Sequence, residues 1–342
     1  MIRGDALHLE GNRGKLQTII DAPCREDAMN DSPEPTFKYV FGPVPSRRLG
    51  RSLGVDLIPR KVCTLDCVYC QVGRTTTKTV ERVAYVPPDE VLAEIEAKLK
   101  SPPLPDVITL AGSGEPTLNA QLGEIIAGIK RMSDVPVVVL TNGTLFWDPA
   151  VRAACAQADL VLPSLDAGDE PTFQAINRPA PGLSLERVVQ GLEAFRAEFS
   201  GEIHLEVFLI EGVNADEAQI EKIRALTERI RPDRIQLNTA VRPTADEGVN
   251  ALTEERLNAL CALLGPKAEV IADFRKVHEQ PAFAVKADEV LAMIRRRPVT
   301  LDDTAAGLGV HVNEASKYVE ELLSKGLIRE ERRGDKRYFR AD

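Results

Sequence analysis

Long apolar runs are missing from this 342-residue chain, and so is any excess of positive charge. No stretch reaches the roughly 20 uninterrupted apolar residues that a bilayer-spanning helix needs. The first residues, MIRGDALHLEGNRGK, scatter charges where a secretory signal would carry an apolar core. The expectation is a cytoplasmic protein with no membrane partner. A formal charge of −9 argues against a protein that coats nucleic acid through overall charge, although it leaves room for a local basic patch. Histidine is scarce, with 4 in the chain and none between His8 and His204. A disulfide framework is also missing: of 6 cysteines, Cys63, Cys67 and Cys70 crowd into one short run. In a reducing compartment such crowding points to a metal. Cys24, Cys155 and Cys261 stand alone and read as buried structural thiols.

What is present suits an ordinary globular protein, with 44% hydrophobic and 28% charged residues. The length allows one large domain and one small one. Residues 1–36 are polar, lack periodicity and end near Ser32-Pro-Glu-Pro35, so a poorly ordered extension is expected there, with Met29 as a candidate start. From residue 37 to 274, apolar runs suited to strands alternate with amphipathic segments. The strands are expected at 53–58, 107–111, 135–141, 160–165, 203–210, 235–238 and 269–272. Helices are expected at 88–99, 120–130, 149–155, 185–198, 217–229 and 253–263. Asn119, Asp148, Ser184 and Asp216 look like N-caps. Such alternation predicts an α/β fold with a parallel sheet and right-handed crossovers, open or closed into a barrel.

The tail differs. After a linker at 275–286, residues 287–342 read as three helices (287–296, 300–307, about 312–325) and a β-hairpin turning at Gly334-Asp335. That is the winged-helix pattern of the helix-turn-helix class, which serves either nucleic-acid binding or protein–protein assembly. Arg329, Arg332, Arg333, Lys336, Arg337 and Arg340 concentrate on the hairpin, where a phosphate backbone would sit.

The chemistry is carried by Cys63-Thr-Leu-Asp-Cys67-Val-Tyr-Cys70, a C-x3-C-x2-C run just after the first expected strand. Three thiolates on a four-iron cubane leave one iron open, as an activating site requires. Structural zinc is the alternative, but it would want a fourth ligand, and no His or further Cys lies near the loop. Gly112-Ser-Gly-Glu-Pro116-Thr follows the strand at 107–111. Glycines there allow close backbone approach to a ligand, and Glu115 can balance an ammonium. Thr141-Asn142-Gly143 and Pro163-Ser164-Leu165-Asp166-Ala167 close the next two strands, at the C-terminal ends where α/β sites lie.

These segments, in this order, resemble the radical S-adenosylmethionine (SAM) superfamily. The resemblance implies a partial (β/α)6 TIM-like barrel over 37–274, with the small winged-helix domain following it. It implies a [4Fe–4S] cluster on Cys63, Cys67 and Cys70, whose open iron takes the amino and carboxylate groups of SAM. Reductive cleavage then gives methionine and a 5′-deoxyadenosyl radical that abstracts hydrogen from substrate. Tyr69 matches the family aromatic near the adenine, and Gly112, Gly114, Glu115 and Pro116 match the segment that holds the SAM amino group. Asn142, Ser164 and Asp166 are further SAM contacts on this view, and Arg178, Glu206, Asn214, Gln236 and Asn238 are similar candidates. A reductant such as flavodoxin or ferredoxin is implied as a partner.

The block from Phe41 to Asp56, with the later SLDA and NRP stretches, looks like the branch grouped with wyosine tRNA-modifying synthases. Members of that branch carry a second cluster on N-terminal cysteines, whereas only Cys24 lies upstream here. Arg47, Arg48 and Arg51 read as contacts for a phosphate or carboxylate, or as surface ion pairs. The expected activity is radical modification of a tRNA base, with the tail docking the RNA. The alternatives are modification of a small metabolite or peptide, and a non-enzymatic DNA-binding regulator that senses the cluster or SAM.

Overall fold

The computed structural model describes residues 37–46, 48–241, 244–246, 248–272, 298–308, 310–333 and 336–341, together with Ala287, Val290, Leu291 and Met293–Arg295. The expected N-terminal extension, with Cys24 and Met29, and the expected linker at 275–286 lie outside the described residues.

One sheet organises the chain, with eight strands in the order β1-β2-β5-β6-β7-β8-β9-β10. β1 (Val40–Ser46) pairs antiparallel with β2 (Gly50–Asp56). From β2 onward every neighbour is parallel: β5 (Val107–Ala111), β6 (Val137–Thr141), β7 (Leu160–Pro163), β8 (Glu202–Leu209), β9 (Arg234–Thr239) and β10 (Ala268–Val270). The crossovers carry α1 (Pro88–Leu99), α2 (Leu122–Met132), α3 (Pro149–Cys155), α4 (Glu170–Asn177), α5 (Leu185–Glu198), α6 (Glu217–Ile230) and α7 (Glu254–Leu263). This is a mixed α/β fold of the partial TIM-like barrel kind. A short pair, β3 (Val62–Cys63) with β4 (Thr77–Lys78), frames the cysteine loop.

Period-2 alternation explains how the strands serve both packing and chemistry. Leu53 and Val55 of β2, Ile108 and Leu110 of β5, and Leu205 and Val207 of β8 are fully buried in the cores beneath the outer helices. The alternate residues, Ser52, Gly54, Thr109, Glu206, Phe208 and Asn238, line an interior cavity. A fully packed barrel would fill that inner face with branched side chains. Here most of these residues are polar or small, Phe208 being the exception, which leaves room for ligands.

Three expected N-caps form: Asp148 accepts from Ala150 N at 2.8 Å, Ser184 from Arg187 N at 3.3 Å and Asp216 from Gln219 N at 2.9 Å. Asn119 does not cap α2, which starts at Leu122 after Gln121. Its amide instead accepts from Gln121 N and donates to Leu57 O, tying the turn to β2. Among the elements not expected are β1 and α4. β1 contains Pro43 and Pro45, which argue against a central strand but are tolerated at a sheet edge. α4 has 8 residues, with Asp169 as its cap.

The C-terminal residues form α8 (Leu301–Leu308), α9 (Val312–Ser324) and a hairpin of β11 (Arg329–Arg333) with β12 (Lys336–Arg340). Val299 bridges to Phe339, and Val290, Ile294, Tyr318, Leu322 and Ile328 share their core. These helices pack on the barrel. Gly42 N donates to Glu314 Oε2 at 3.3 Å, and the Phe41 and His311 rings stack at 4.8 Å. No described helix is long and apolar enough to cross a membrane.

Candidate active site

The loop after β2 is clamped from both sides, and this places the thiols. Lys61 N donates to Ser113 O at 2.8 Å and Glu115 N to Val62 O at 3.1 Å, so the 61–63 turn lies against the Gly112–Glu115 segment. Close packing makes glycine necessary there: a Cβ on Gly114 would meet Val62 O at 1.9 Å. Gly112 has φ +150, and its Cβ would meet Asp56 Oδ1 at 2.1 Å. Asp56 in turn accepts from Ser113 N and from Ser113 Oγ, the latter at 2.6 Å.

Each of the three thiols has a side-chain nitrogen donor. Lys61 Nζ stands 3.2 Å from Cys70 Sγ, Asn142 Nδ2 3.6 Å from Cys63 Sγ, and Asn177 Nδ2 3.4 Å from Cys67 Sγ. All three cysteines are free and half-buried. Burial, aided by the Glu115 charge, pushes the Cys63 thiol up to about 12, and burial likewise raises Cys67. Among the described residues no three or more His, Cys, Asp or Glu are grouped around one metal ion. Asn177 Oδ1 is buried beside Cys67 and has no hydrogen-bond partner among the described residues, as a polar atom awaiting a donor would be. These residues fit a cluster with a ligand beside it.

A cavity of about 470 Å³ opens beside the loop, within the size range of small-molecule sites. Of the expected residues, Cys67, Cys70, Tyr69, Gly112, Glu206 and Asn238 line it. The Tyr69 ring stacks on Phe208 at 4.0 Å, and its hydroxyl donates to Asp166 at 2.5 Å. Asn142, Ser164 and Asp166 meet at a second, much smaller void that they share with Asn177. Asp166 is buried, and its oxygens are taken by Tyr69, Asn177 Nδ2 at 2.8 Å and Phe208 N at 3.0 Å. Burial pushes its carboxyl up to about 6.

Glu115 also turns inward. Oε1 accepts from Thr117 N, from Thr117 Oγ1 at 2.6 Å and from Thr141 Oγ1 at 2.5 Å, while Oε2 accepts from Asn142 N at 2.7 Å. Its carboxylate therefore joins the ends of β5 and β6, and burial raises its pKa despite these bonds. Pro116 opens the buried 3-10 turn Pro116–Leu118 beneath it.

The remaining candidates separate. Arg48 lines the cavity and donates to Glu206 Oε2 at 2.7 Å and Gln236 Oε1 at 2.8 Å. Asn238 Nδ2 completes this network on Glu206 Oε1 at 3.0 Å. Asn214 is a structural strap, bonded to Ile210 N, Asp166 O and Phe208 O. Arg178 pairs with Asp246 at 2.7 Å, and Arg51 with Asp106 at 2.8 Å at the exposed N-terminal ends of β2 and β5. Arg47 lies outside the described residues. Cys155 is fully buried in the core and Cys261 packs against the one behind α7.

Sequence reasoning missed the C-terminal part of the lining: Val312, Asn313, Ser316, Lys317 and Glu320 of α9, with Leu301 of α8, border the same cavity. It also missed Lys61, whose sole signal was its place two residues before Cys63.

Comparison with known proteins fits this geometry. The Radical SAM superfamily model matches residues 57–223, from the end of β2 into α6. A UPF0026 protein of Helicobacter pylori (strain ATCC 700392 / 26695) is 34% identical over 294 residues, 84% of this chain and 93% of that protein. This chain belongs to the UPF0026 family. UPF0026 protein MJ1312 of Methanocaldococcus jannaschii is 36% identical over 226 residues, 65% of this chain and 70% of that one. A protein named GTPase Obg in Brachyspira hyodysenteriae is 36% identical over 297 residues, but this chain spans 44% of its length. Among solved structures, TYW1 with a lysine–pyruvate adduct bound matches with a TM-score of 0.48 and 21% identity, over 63% of this chain and 72% of that one.

This UPF0026 chain is thus a radical SAM enzyme, and superfamily members use a [4Fe–4S] cluster and SAM. The non-enzymatic regulator is set aside.

Proposed function

We propose that this radical SAM enzyme acts on a small polar molecule, or one residue of a flexible peptide, enclosed between the barrel and α9. The observation that carries this reading is a cavity lined both by Cys67, Cys70 and Tyr69 and by Asn313 and Ser316 of α9. The face of α9 toward that cavity is not offered to a nucleic-acid groove.

Cys63, Cys67 and Cys70 would hold the cluster. When bound, it supplies the electron that cleaves the sulfonium C–S bond of SAM to methionine and the 5′-deoxyadenosyl radical. The chain orients and encloses. Tyr69 and Gly112 bound the space for the nucleoside, Asp56 fixes the Gly112–Ser113 turn, the Glu115 strap joins the ends of β5 and β6, and α8 and α9 exclude water from the reacting centre. Arg48 and Glu206 present a cation and an anion to the substrate's polar groups.

A tRNA base is the second reading. What favours it is the basic hairpin of the winged-helix-like tail. Three of its arginines are already paired, however: Arg337 with Glu330 at 2.5 Å, Arg340 with Glu331 at 3.3 Å and Arg332 with Glu330 at 3.3 Å.

Anaerobic reconstitution with iron and sulfide, reduction and addition of SAM tests the chemistry, with 5′-deoxyadenosine followed by mass spectrometry. Wild type should form it and Cys63→Ala, Cys67→Ala and Cys70→Ala should not. Stimulation by the small-molecule fraction of a cell extract supports the first reading. Stimulation by total tRNA alone replaces it with the second.

A further inference from the structure

Lys61 is placed as few lysines are. It is 6% exposed and has φ 64, in the left-handed region where an L side chain is strained. Glycine would adopt this backbone freely. The surroundings hold it there: Lys61 N donates to Ser113 O at 2.8 Å, and its carbonyl accepts from Thr76 N and Thr77 N, both at 3.1 Å. With the backbone pinned between the Gly112–Glu115 segment and β4, the side chain runs to Cys70, where Nζ stops 3.2 Å from Sγ. The other two thiols face neutral amides, Asn142 and Asn177. Among these side-chain donors to the three sulfurs, only Lys61 is a cation.

We propose that Lys61 is the charged hydrogen-bond donor to the Cys70 sulfur of the cluster and sets the cluster's reduction potential. The inference rests on the cluster assignment above, not on the identity of the substrate. A one-electron donor of the flavodoxin or ferredoxin class adds one electron to the cluster, and with it one negative charge. No bond forms or breaks in the protein in that step. A nearby ammonium stabilises the reduced form more than the oxidised form, so it raises the potential. Burial strengthens the effect, because a charge shielded from solvent is little screened. Hydrogen bonds to cluster sulfurs act in the same direction. Lys61 thus brings the cluster within reach of its reductant, while Asn142 and Asn177 make smaller contributions of the same sign.

The test is a redox titration of the reconstituted full-length chain, followed by electron paramagnetic resonance, without SAM or substrate. Iron and sulfide are counted in each sample. Lys61→Met should load the cluster and lower its midpoint by at least a tenfold change in the one-electron equilibrium, about 59 mV. Lys61→Arg keeps the charge and should restore most of the shift. Should Lys61→Met load poorly, Lys61→Gln against Lys61→Arg decides, since both can donate but only one is charged. A lower midpoint for Lys61→Gln supports the proposal. Equal midpoints in loaded Lys61→Gln and Lys61→Arg, or an unmoved midpoint in loaded Lys61→Met, overturn it. A wild-type chain that holds no cluster would instead defeat the assignment of the site.

Discussion

His311 Nε2 lies 3.4 Å from Asp56 Oδ2, joining the C-terminal helices to the end of β2. His311 Nδ1 accepts from Asn313 N at 3.2 Å, which leaves Nε2 to face the carboxylate. Asp56 is the residue that also holds Ser113. Two residues thus connect the wall of the cavity to the turn below it.

Replacing His311 by Ala removes this contact and the ring stack on Phe41. The expected cost is about 1–2 kcal/mol. Hydrogen exchange should quicken at the start of α9 and the end of β2 while the outer strands stay protected. Unchanged exchange in α9 would mean that the contact does not hold the domain.

Glu115→Gln probes the strap. A carboxylate accepts from all four donors around it, whereas an amide must turn an NH2 toward Thr141 and Thr117 or toward Asn142 N. One donor is then left facing another inside the core, at a cost of about 1–3 kcal/mol. A lower melting temperature together with weaker SAM binding is expected, the first by calorimetry and the second by equilibrium dialysis. A variant as stable as wild type would show that Glu115 is not the tie its bonds suggest.

How much of this was readable in the chain depends on the range of the interaction. α1, α3, α5 and β5 fall where periodicity and caps put them, because those signals are local. The thiols were readable because their spacing is itself the chemistry. The pairing of the hairpin arginines was not, since it depends on Glu330 and Glu331 meeting them across and along the strands. The contacts of Lys61 with Ser113 and of His311 with Asp56 join segments that no spacing rule connects. Continuous apolar strands gave the sheet, but the polar inner face of β8 and β9 emerges only once the curvature shows which side is enclosed.

At the exposed N-terminal ends of β2 and β5, Arg51 hydrogen-bonds to Asp106 and holds its carboxyl down to about 2, from an ordinary 3.8. A depressed carboxylate pKa contributes stability that is present above the unfolded value and is lost as pH falls through the folded one. The difference in melting temperature between wild type and Asp106→Asn should therefore narrow as pH falls from about 5 to about 2. The pair is exposed, so the effect is small and weakens in salt. A difference that widens on acidification would contradict the assignment.

Arg48 and Glu206 offer the last prediction, because their pairing has a structural and a functional meaning that can be separated. Both side chains are about four-fifths buried, at 18% and 19% exposure. Removing the cation alone, in Arg48→Met, leaves Glu206 with Asn238 and costs about 3 kcal/mol, as breaking an enclosed ion pair does. The double variant Arg48→Met with Glu206→Gln leaves no lone charge and should regain most of that stability. If the pair only supports the barrel, the double variant also regains the extra 5′-deoxyadenosine that the small-molecule extract elicits. If the pair receives the substrate, stability returns and the stimulation does not, while basal SAM cleavage persists. The expected result is the second, because both side chains border the same cavity as Cys67 and Cys70.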